Sequence, residues 1–204
     1  NIISKKELKE HHYYQTLEEL AEDYYTAGLY DKSEEIFQKL IDIKDHQASS
    51  LKKLIQIYEY TCEWDKALST TEKLNNIDPI NEYKKNIPQY FCQISEQYID
   101  DYDLKKAELF TKKAEATKSK SSRILFLSIQ IALKMDDLVK ALELYINLSE
   151  ISDLGHLILL PDLIDKAKQN DQLNQVSEMI KVISARRPNI KEHLALLAIM
   201  NLDV

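Results

Sequence analysis

Few side chains in this sequence combine a reactive type with a spacing that chemistry requires. His11 and His12 are adjacent, and neighbouring residues of a helix point about 100° apart, so the two are poorly placed to bind one metal ion. Cys62 and Cys92 are the two cysteines of the chain and form no C-x-x-C pair. Neither thiol has a base beside it in the sequence that would make it a nucleophile. The sequence therefore predicts no catalytic residue, no metal site and no cofactor of its own.

The composition argues against several classes of protein. The net charge is −7, and lysines alternate with glutamates instead of forming the basic stripe that nucleic-acid binding requires. Gly28 and Gly155 are the two glycines, so a glycine-rich phosphate-binding loop is absent. No apolar run is long enough for a membrane span. An apolar fraction of 44% with 30% charged residues predicts a soluble globular chain, and two isolated thiols indicate a reducing, cytoplasmic setting.

The elements that carry these side chains follow a repeat. Tyr30-Asp31-Lys32-Ser33 returns 34 residues later as Trp64-Asp65-Lys66-Ala67. A small side chain keeps this register through the chain, at Ser33, Ala67, Ala107, Ala141 and Val176. A period near 34 residues built from paired amphipathic helices is typical of a tetratricopeptide array. The predicted fold class is thus all-α, a tetratricopeptide-repeat superhelix of stacked antiparallel helix pairs, with about five repeats and a partial sixth.

The same register predicts the boundaries. Residues 1–13 form a lead-in, the remnant of a preceding repeat, and 14–204 form the array, with repeats near 14–46, 48–79, 84–118, 121–153 and 156–188 and a partial one at 190–204. We expect Gly28 to end the first helix in a left-handed conformation, Asp31 to cap the second, and Pro161 to kink a helix or delay its start. Because the chain opens with Asn1 and ends on an unpaired first helix, we expect it to be an excerpt of a longer polypeptide.

The concave groove of such an array is the best functional candidate. It is lined by residues of each first helix that do not enter the core, and counting helical faces gives Glu18, Glu22, Tyr25, Lys52, Gln56, Glu59, Gln89, Cys92 and Glu96. Tyr25, among acids and amides, could hold a peptide by stacking and hydrogen bonding. An ordinary solvent-exposed face remains the alternative.

Three segments resemble the lipopolysaccharide assembly protein B family. They are Ala27–Lys32, then Leu54–Tyr58 leading to Glu63–Leu68, and Tyr90–Ile94. The resemblance is specific from about Leu17 to Ala114 and continues, weaker but collinear, to Val204.

The resemblance implies an inner-membrane protein of Gram-negative bacteria that faces the cytoplasm. Its parts would be an amino-terminal membrane helix, a tetratricopeptide body and a carboxy-terminal rubredoxin-like module holding zinc or iron. This sequence would be the body alone, soluble by itself, touching the membrane only through the absent helix.

The function that the resemblance implies is that of a non-enzymatic adaptor regulating lipopolysaccharide biosynthesis. It would promote proteolysis of the lipid A-pathway deacetylase by a membrane-bound AAA+ metalloprotease (FtsH type), and other lipopolysaccharide-assembly proteins or a second copy of the chain are further partners. A scaffold that does not direct proteolysis, or a generic peptide-binding tetratricopeptide module, is the alternative. A hydrolase or transferase is the contrasting class.

Overall fold

The structure, a computed structural model, describes residues 5–151 and 155–186, and the side chains of 9–151 and 158–186. Over these ranges every regular element is a helix, which confirms the all-α prediction. The α-helices are α1 (Lys5–Thr26), α2 (Tyr30–Leu40), α3 (Gln47–Tyr60), α4 (Trp64–Ile77), α5 (Ile87–Asp100), α6 (Leu104–Ala116), α7 (Ser122–Lys134), α8 (Leu138–Ile151), α9 (Gly155–Gln169) and α10 (Leu173–Arg186), with a 3₁₀ helix at Glu82–Asn86. None of these helices is both long enough and apolar enough to cross a membrane.

The chain divides into two compact units, residues 1–93 and 94–204, with the division inside α5. In the first unit α1 packs on α2, α2 on α3, and α3 on α4. The core between these helices is formed mainly by Ala21, Phe37, Leu40, Leu54, Ile57, Tyr58, Ala67 and Tyr90. Phe37 and Tyr90 are among its largest fully buried side chains, so their burial contributes strongly to its stability.

The second unit repeats this arrangement with α6 to α10. Helix α6 packs on α7, α7 on α8, and α9 on both α7 and α8, while α10 packs on α8 and α9. Its core includes Ile129, Ala132, Ala141, Tyr145, Leu148, Leu160, Leu163, Val176 and Ile180.

Every hairpin turn among the described residues has the same backbone conformation. Five residues adopt positive φ where a first helix ends, namely Gly28, Cys62, Tyr102, Asp136 and Asp171. In each turn the N–H of the following residue bonds the carbonyl five residues earlier, as Leu29 does to Tyr24 at 2.8 Å and Glu63 to Tyr58 at 2.9 Å. This bond identifies a Schellman cap, which satisfies carbonyls that the helix end leaves free. The left-handed conformation predicted for Gly28 is confirmed, with φ of +75°.

The small residue of each repeat is fully buried against neighbouring helices. Ser33, Ala67, Ala107, Ala141 and Val176 are each 0% exposed. The Ser33 hydroxyl donates a hydrogen bond across its hairpin to the Ala21 carbonyl at 2.8 Å, and Ser95 donates in the same way to the Ala107 carbonyl at 2.9 Å. The close approach leaves no room for a larger side chain, as the repeat pattern predicts.

One local prediction is wrong, and one of two alternatives in another is excluded. Asp31 does not cap α2, because the helix already begins at Tyr30 and Leu29 occupies the cap position without a side-chain bond. Pro161 does not delay its helix, since it lies inside α9. Helix α1 runs through residue 13 without a break, while the repeat boundaries stay predictions. The partial repeat at 190–204 lies outside the described residues.

The long connection between α4 and α5 is shaped by hydrogen bonds to a single side chain. The side chain of Asn81 accepts hydrogen bonds from the N–H groups of Tyr83 at 3.0 Å and Lys84 at 3.2 Å. These bonds start the 3₁₀ helix, which brings Tyr83 into a small core with Leu51, Ile55 and Leu74.

Candidate interaction surface

The predicted groove residues of α1 are in contact with the next hairpin. Glu18 accepts hydrogen bonds from Nδ1 of His46 and from the hydroxyl of Ser49, each at 2.6 Å. One turn further along α1, Glu22 accepts from Nζ of Lys53 at 2.7 Å. Both carboxylates therefore attach α1 to α3 or to the turn before it.

Tyr25, the third predicted residue of α1, belongs to an aromatic group at the turn end of the first two hairpins. Nζ of Lys53 lies 5.4 Å from the centre of the Tyr25 ring, which is a cation–π distance. The Tyr25 ring meets Tyr30 edge-on at 5.6 Å, and Tyr30 lies 4.6 Å from Tyr60. Desolvation, followed by the hydrogen bond with Tyr60, raises the pKa of Tyr30 above its ordinary value of 10.0. Tyr60 is 67% exposed, so this group presents an aromatic surface to solvent.

The predicted groove residues of α3 also form hydrogen bonds with the next hairpin, in the connection between α4 and α5 and in α5 itself. Gln56 donates from Nε2 to the Tyr83 hydroxyl at 2.8 Å. Glu59 accepts from Nδ2 of Asn86 at 3.0 Å and from the hydroxyl of Tyr90. Desolvation and the bond to Glu59 raise the pKa of the buried Tyr90 phenol well above its usual range. These side chains are therefore held by partners instead of lying free in solvent.

The remaining predicted residues differ from one another. In the second unit, Glu96 forms a two-point ion pair with Arg123 of α7, in which Nε lies 3.0 Å from Oε1 and the second guanidinium nitrogen bonds Oε2. In the first unit, Nζ of Lys52 is 3.8 Å from the carboxylate of Asp78 and 42% of its side chain is exposed, and Gln89 is exposed. Cys92 is only 1% exposed. Its placement on an open face is therefore wrong, because the face of α5 that carries it packs into the protein.

The interhelical partners themselves were not apparent from the sequence. They are His46, Ser49, Lys53, Tyr83, Asn86, Tyr90 and Arg123, and each lies 27 to 31 residues after the side chain that it contacts. This near-constant offset is slightly shorter than one repeat, and a search for polar pairs at that offset could have found them. Whether the surface binds another molecule stays a prediction.

The second helices carry an equivalent link on another surface. Lys66 precedes the small residue Ala67, and its Nζ lies 3.2 Å from the carboxylate of Glu34, which follows the small residue of the preceding repeat. Lys140 and Glu108 occupy the corresponding positions in the second unit and are 2.9 Å apart. The hydrogen bond from Lys140, and then that from Lys112, hold the pKa of Glu108 below its ordinary value.

The described residues offer little machinery for catalysis. No group of three or more metal-binding side chains converges among them. A cavity of about 210 Å³ lies between α6, α7 and α8, but its principal charges are already paired, with Glu108 at 3.1 Å from Lys112 and 2.9 Å from Lys140. The polar contacts between consecutive hairpins are the more distinctive feature.

Comparison with known proteins gives sequence and fold relatives. The chain is 31% identical over 127 residues to lipopolysaccharide assembly protein B of Escherichia coli K12, a match that covers 62% of this chain and 32% of that protein. The protein of the same name from Haemophilus influenzae is 30% identical over 95 residues, 47% of this chain and 24% of that one. The chain thus spans about a third or less of the curated relatives it matches, and no family profile matches it.

The solved structures include one that supports the fold. A tetratricopeptide repeat protein from Parabacteroides merdae superposes with a TM-score of 0.51 at 14% identity, covering 92% of this chain and 73% of that one. At that identity the likeness concerns the fold alone. The predicted tetratricopeptide-repeat fold class is confirmed, as is the predicted resemblance: the chain has an all-α tetratricopeptide-repeat fold and a sequence similar to lipopolysaccharide assembly protein B.

Proposed function

We propose that this chain is the interaction body of a non-enzymatic adaptor in lipopolysaccharide assembly, located at the cytoplasmic face of the inner membrane. The observation that carries the proposal is the 31% identity over 127 residues to proteins named for that process. In this proposal the chain presents the lipid A-pathway deacetylase to a membrane-bound AAA+ metalloprotease, and lipopolysaccharide output falls as a result.

The geometry is suited to such a role. Glu22 and Tyr25 are held by Lys53, and Glu59 is held by Asn86 and Tyr90. Side chains fixed before a partner arrives lose less conformational freedom on binding, so more of the contact energy contributes to affinity. Gln89 is exposed, and 42% of the Lys52 side chain is exposed beside its ion pair with Asp78, so both side chains are accessible to a partner.

The test uses the full-length protein in the cells that make it. We expect deletion of the gene to lengthen the half-life of the deacetylase, and the restored protein to shorten it again. A full-length variant with Lys52→Glu should fail to restore turnover, because the reversed charge repels a partner that accepts the lysine. Lys73→Glu is the matched control, since Lys73 is an exposed lysine of the second helix α4 and lies away from the groove.

The alternative scaffold gives a different result. If the deacetylase half-life is the same with and without the gene, the adaptor mechanism is wrong and a scaffold for assembly proteins is favoured. Recovery of neither protease nor deacetylase with the full-length protein from detergent-solubilised membranes would likewise contradict the proposal.

A further inference from the structure

His46 is a buried histidine with one ring nitrogen unused. It lies at the start of α3 and is 7% exposed. Its Nδ1 is 2.6 Å from Oε2 of Glu18. Its Nε2 is buried and has no hydrogen-bond partner in the described part of the chain. Such an orphaned nitrogen is unusual, because buried polar atoms nearly always have a partner.

The His46 ring packs against one face of α1. His11, Tyr14 and Glu18 are spaced three and four residues apart on α1 and therefore share that face of the helix. The His46 ring centre lies 6.3 Å from that of His11 and 6.3 Å from that of Tyr14, while its Nδ1 is held by Glu18. The aromatic rings nearest to the unused nitrogen are thus those of His11 and Tyr14, and only His11 among them has a nitrogen that can bind a metal ion.

This arrangement has the chemistry of a metal ligand. In the tautomer whose Nδ1–H donates a hydrogen bond to the Glu18 carboxylate, the lone pair of the ring is on Nε2, and a carboxylate behind a histidine is the usual support of a metal-binding imidazole. Two metal–nitrogen bonds of about 2.1 Å place imidazole centres roughly 5–6 Å apart. The centres of the His11 and His46 rings are 6.3 Å apart, slightly more than this separation, and the His11 ring is exposed, so rotation of its side chain can bring the two rings to that separation.

We propose that His11 and His46 together bind a divalent transition-metal ion of the zinc, nickel and copper class, with Glu18 orienting His46. His12, the sequence neighbour of His11, is not part of this pair, because the partner of His11 comes from the turn before α3. Only two protein ligands are present, so water completes the coordination and the ion is held reversibly. When bound, it joins α1 to the start of α3. This inference does not depend on the proposed function.

The experiment is thermal unfolding of the untagged chain at pH 7.5, with Zn²⁺ as the probe and Mg²⁺ as the control ion. At a zinc concentration ten times the Kd we expect the midpoint to rise by about 3–6 °C. Mg²⁺ should give no rise, because it prefers oxygen ligands. Titration calorimetry gives the Kd, and a chelator should reverse the shift.

Three variants separate this site from other zinc binding. His11→Ala should abolish the shift while leaving the metal-free midpoint unchanged, because the ring is exposed. His12→Ala, the matched control, should keep the full shift. Glu18→Gln retains an acceptor for Nδ1 but should weaken zinc binding by about 10–100-fold.

The proposal is overturned by any of three results. They are no shift in the original chain, a shift retained in His11→Ala (which would assign it to another of the five histidines), or an equal loss in His12→Ala.

Discussion

Replacing Cys62 by glycine should stabilise the protein, although it removes a side chain. Cys62 occupies the left-handed turn position with φ of +60° and is exposed, so its side chain gains nothing from the core. A left-handed conformation costs a residue with a Cβ about 1–2 kcal/mol, and glycine avoids this cost. Glycine also gives the unfolded chain more conformational freedom, which lowers the stability by roughly 0.4–1 kcal/mol. The net gain is about 0.5–1 kcal/mol, a rise in Tm of roughly 1–4 °C for a chain of this size.

The measurement is urea and thermal unfolding of Cys62→Gly against two matched variants. Cys62→Ala keeps the Cβ and the backbone strain, and its stability should equal that of the original chain. Gly28→Ala is the converse change at the equivalent turn, where φ is +75° and an added Cβ would meet no atom within 4 Å. Its loss of about 1 kcal/mol would therefore come from backbone conformation alone. Equal stability of Cys62→Gly and Cys62→Ala, or a neutral Gly28→Ala, would refute this reasoning.

Three further predictions concern contacts within single units. Tyr90→Phe removes the hydroxyl that donates a hydrogen bond to Glu59. It should lower the unfolding free energy measured in urea by about 1.5–3 kcal/mol, as expected for a hydrogen bond to a charged group, and an unchanged midpoint would contradict this. Ala67→Leu should lower the unfolding free energy by about 1–3 kcal/mol through overpacking, because Ala67 is 0% exposed. An unchanged Tm in calorimetry would show instead that the core has space for the larger side chain. The pKa of Glu108 is lowered beside Lys140, so this carboxylate stabilises the fold at pH values above its unfolded-state pKa of 4.5. The stabilisation is lost as the pH falls through the folded-state pKa. Glu108→Gln should therefore reduce the dependence of the unfolding free energy on pH in that acidic range, and an unaltered slope would exclude the Glu108–Lys140 pair as the cause of that dependence.

The parts of the fold that depend on local pattern could be predicted from the sequence. The small residue of each repeat is recognisable at Ser33 and Ala67 because close helix packing leaves no space for a larger side chain. Gly28 is recognisable because the left-handed region favours glycine. The same turn is occupied by Cys62 and Tyr102, where residue type gives no such signal and only the register of the repeat does.

Other features depend on how one hairpin is rotated against the next, which composition and periodicity do not specify. Glu18 was predicted to line the groove face of α1, but its partner His46, which comes from a turn 28 residues later, was not predicted. Cys92 was misassigned because α5 is buried on more than one face, with Tyr90 and Ile94 buried as well as Cys92. Asp31 fits a capping pattern, but the tight turn starts α2 two residues earlier, with Leu29 at the cap position.

The two thiols have a practical consequence for observing this protein. Cys62 stands at the tip of a turn in open solvent, whereas Cys92 is 1% exposed, and the chain has no third cysteine. A maleimide dye applied to the folded chain should therefore attach at one defined position without any engineered residue. The fluorescence of that dye would report the arrival of a partner at the first two hairpins.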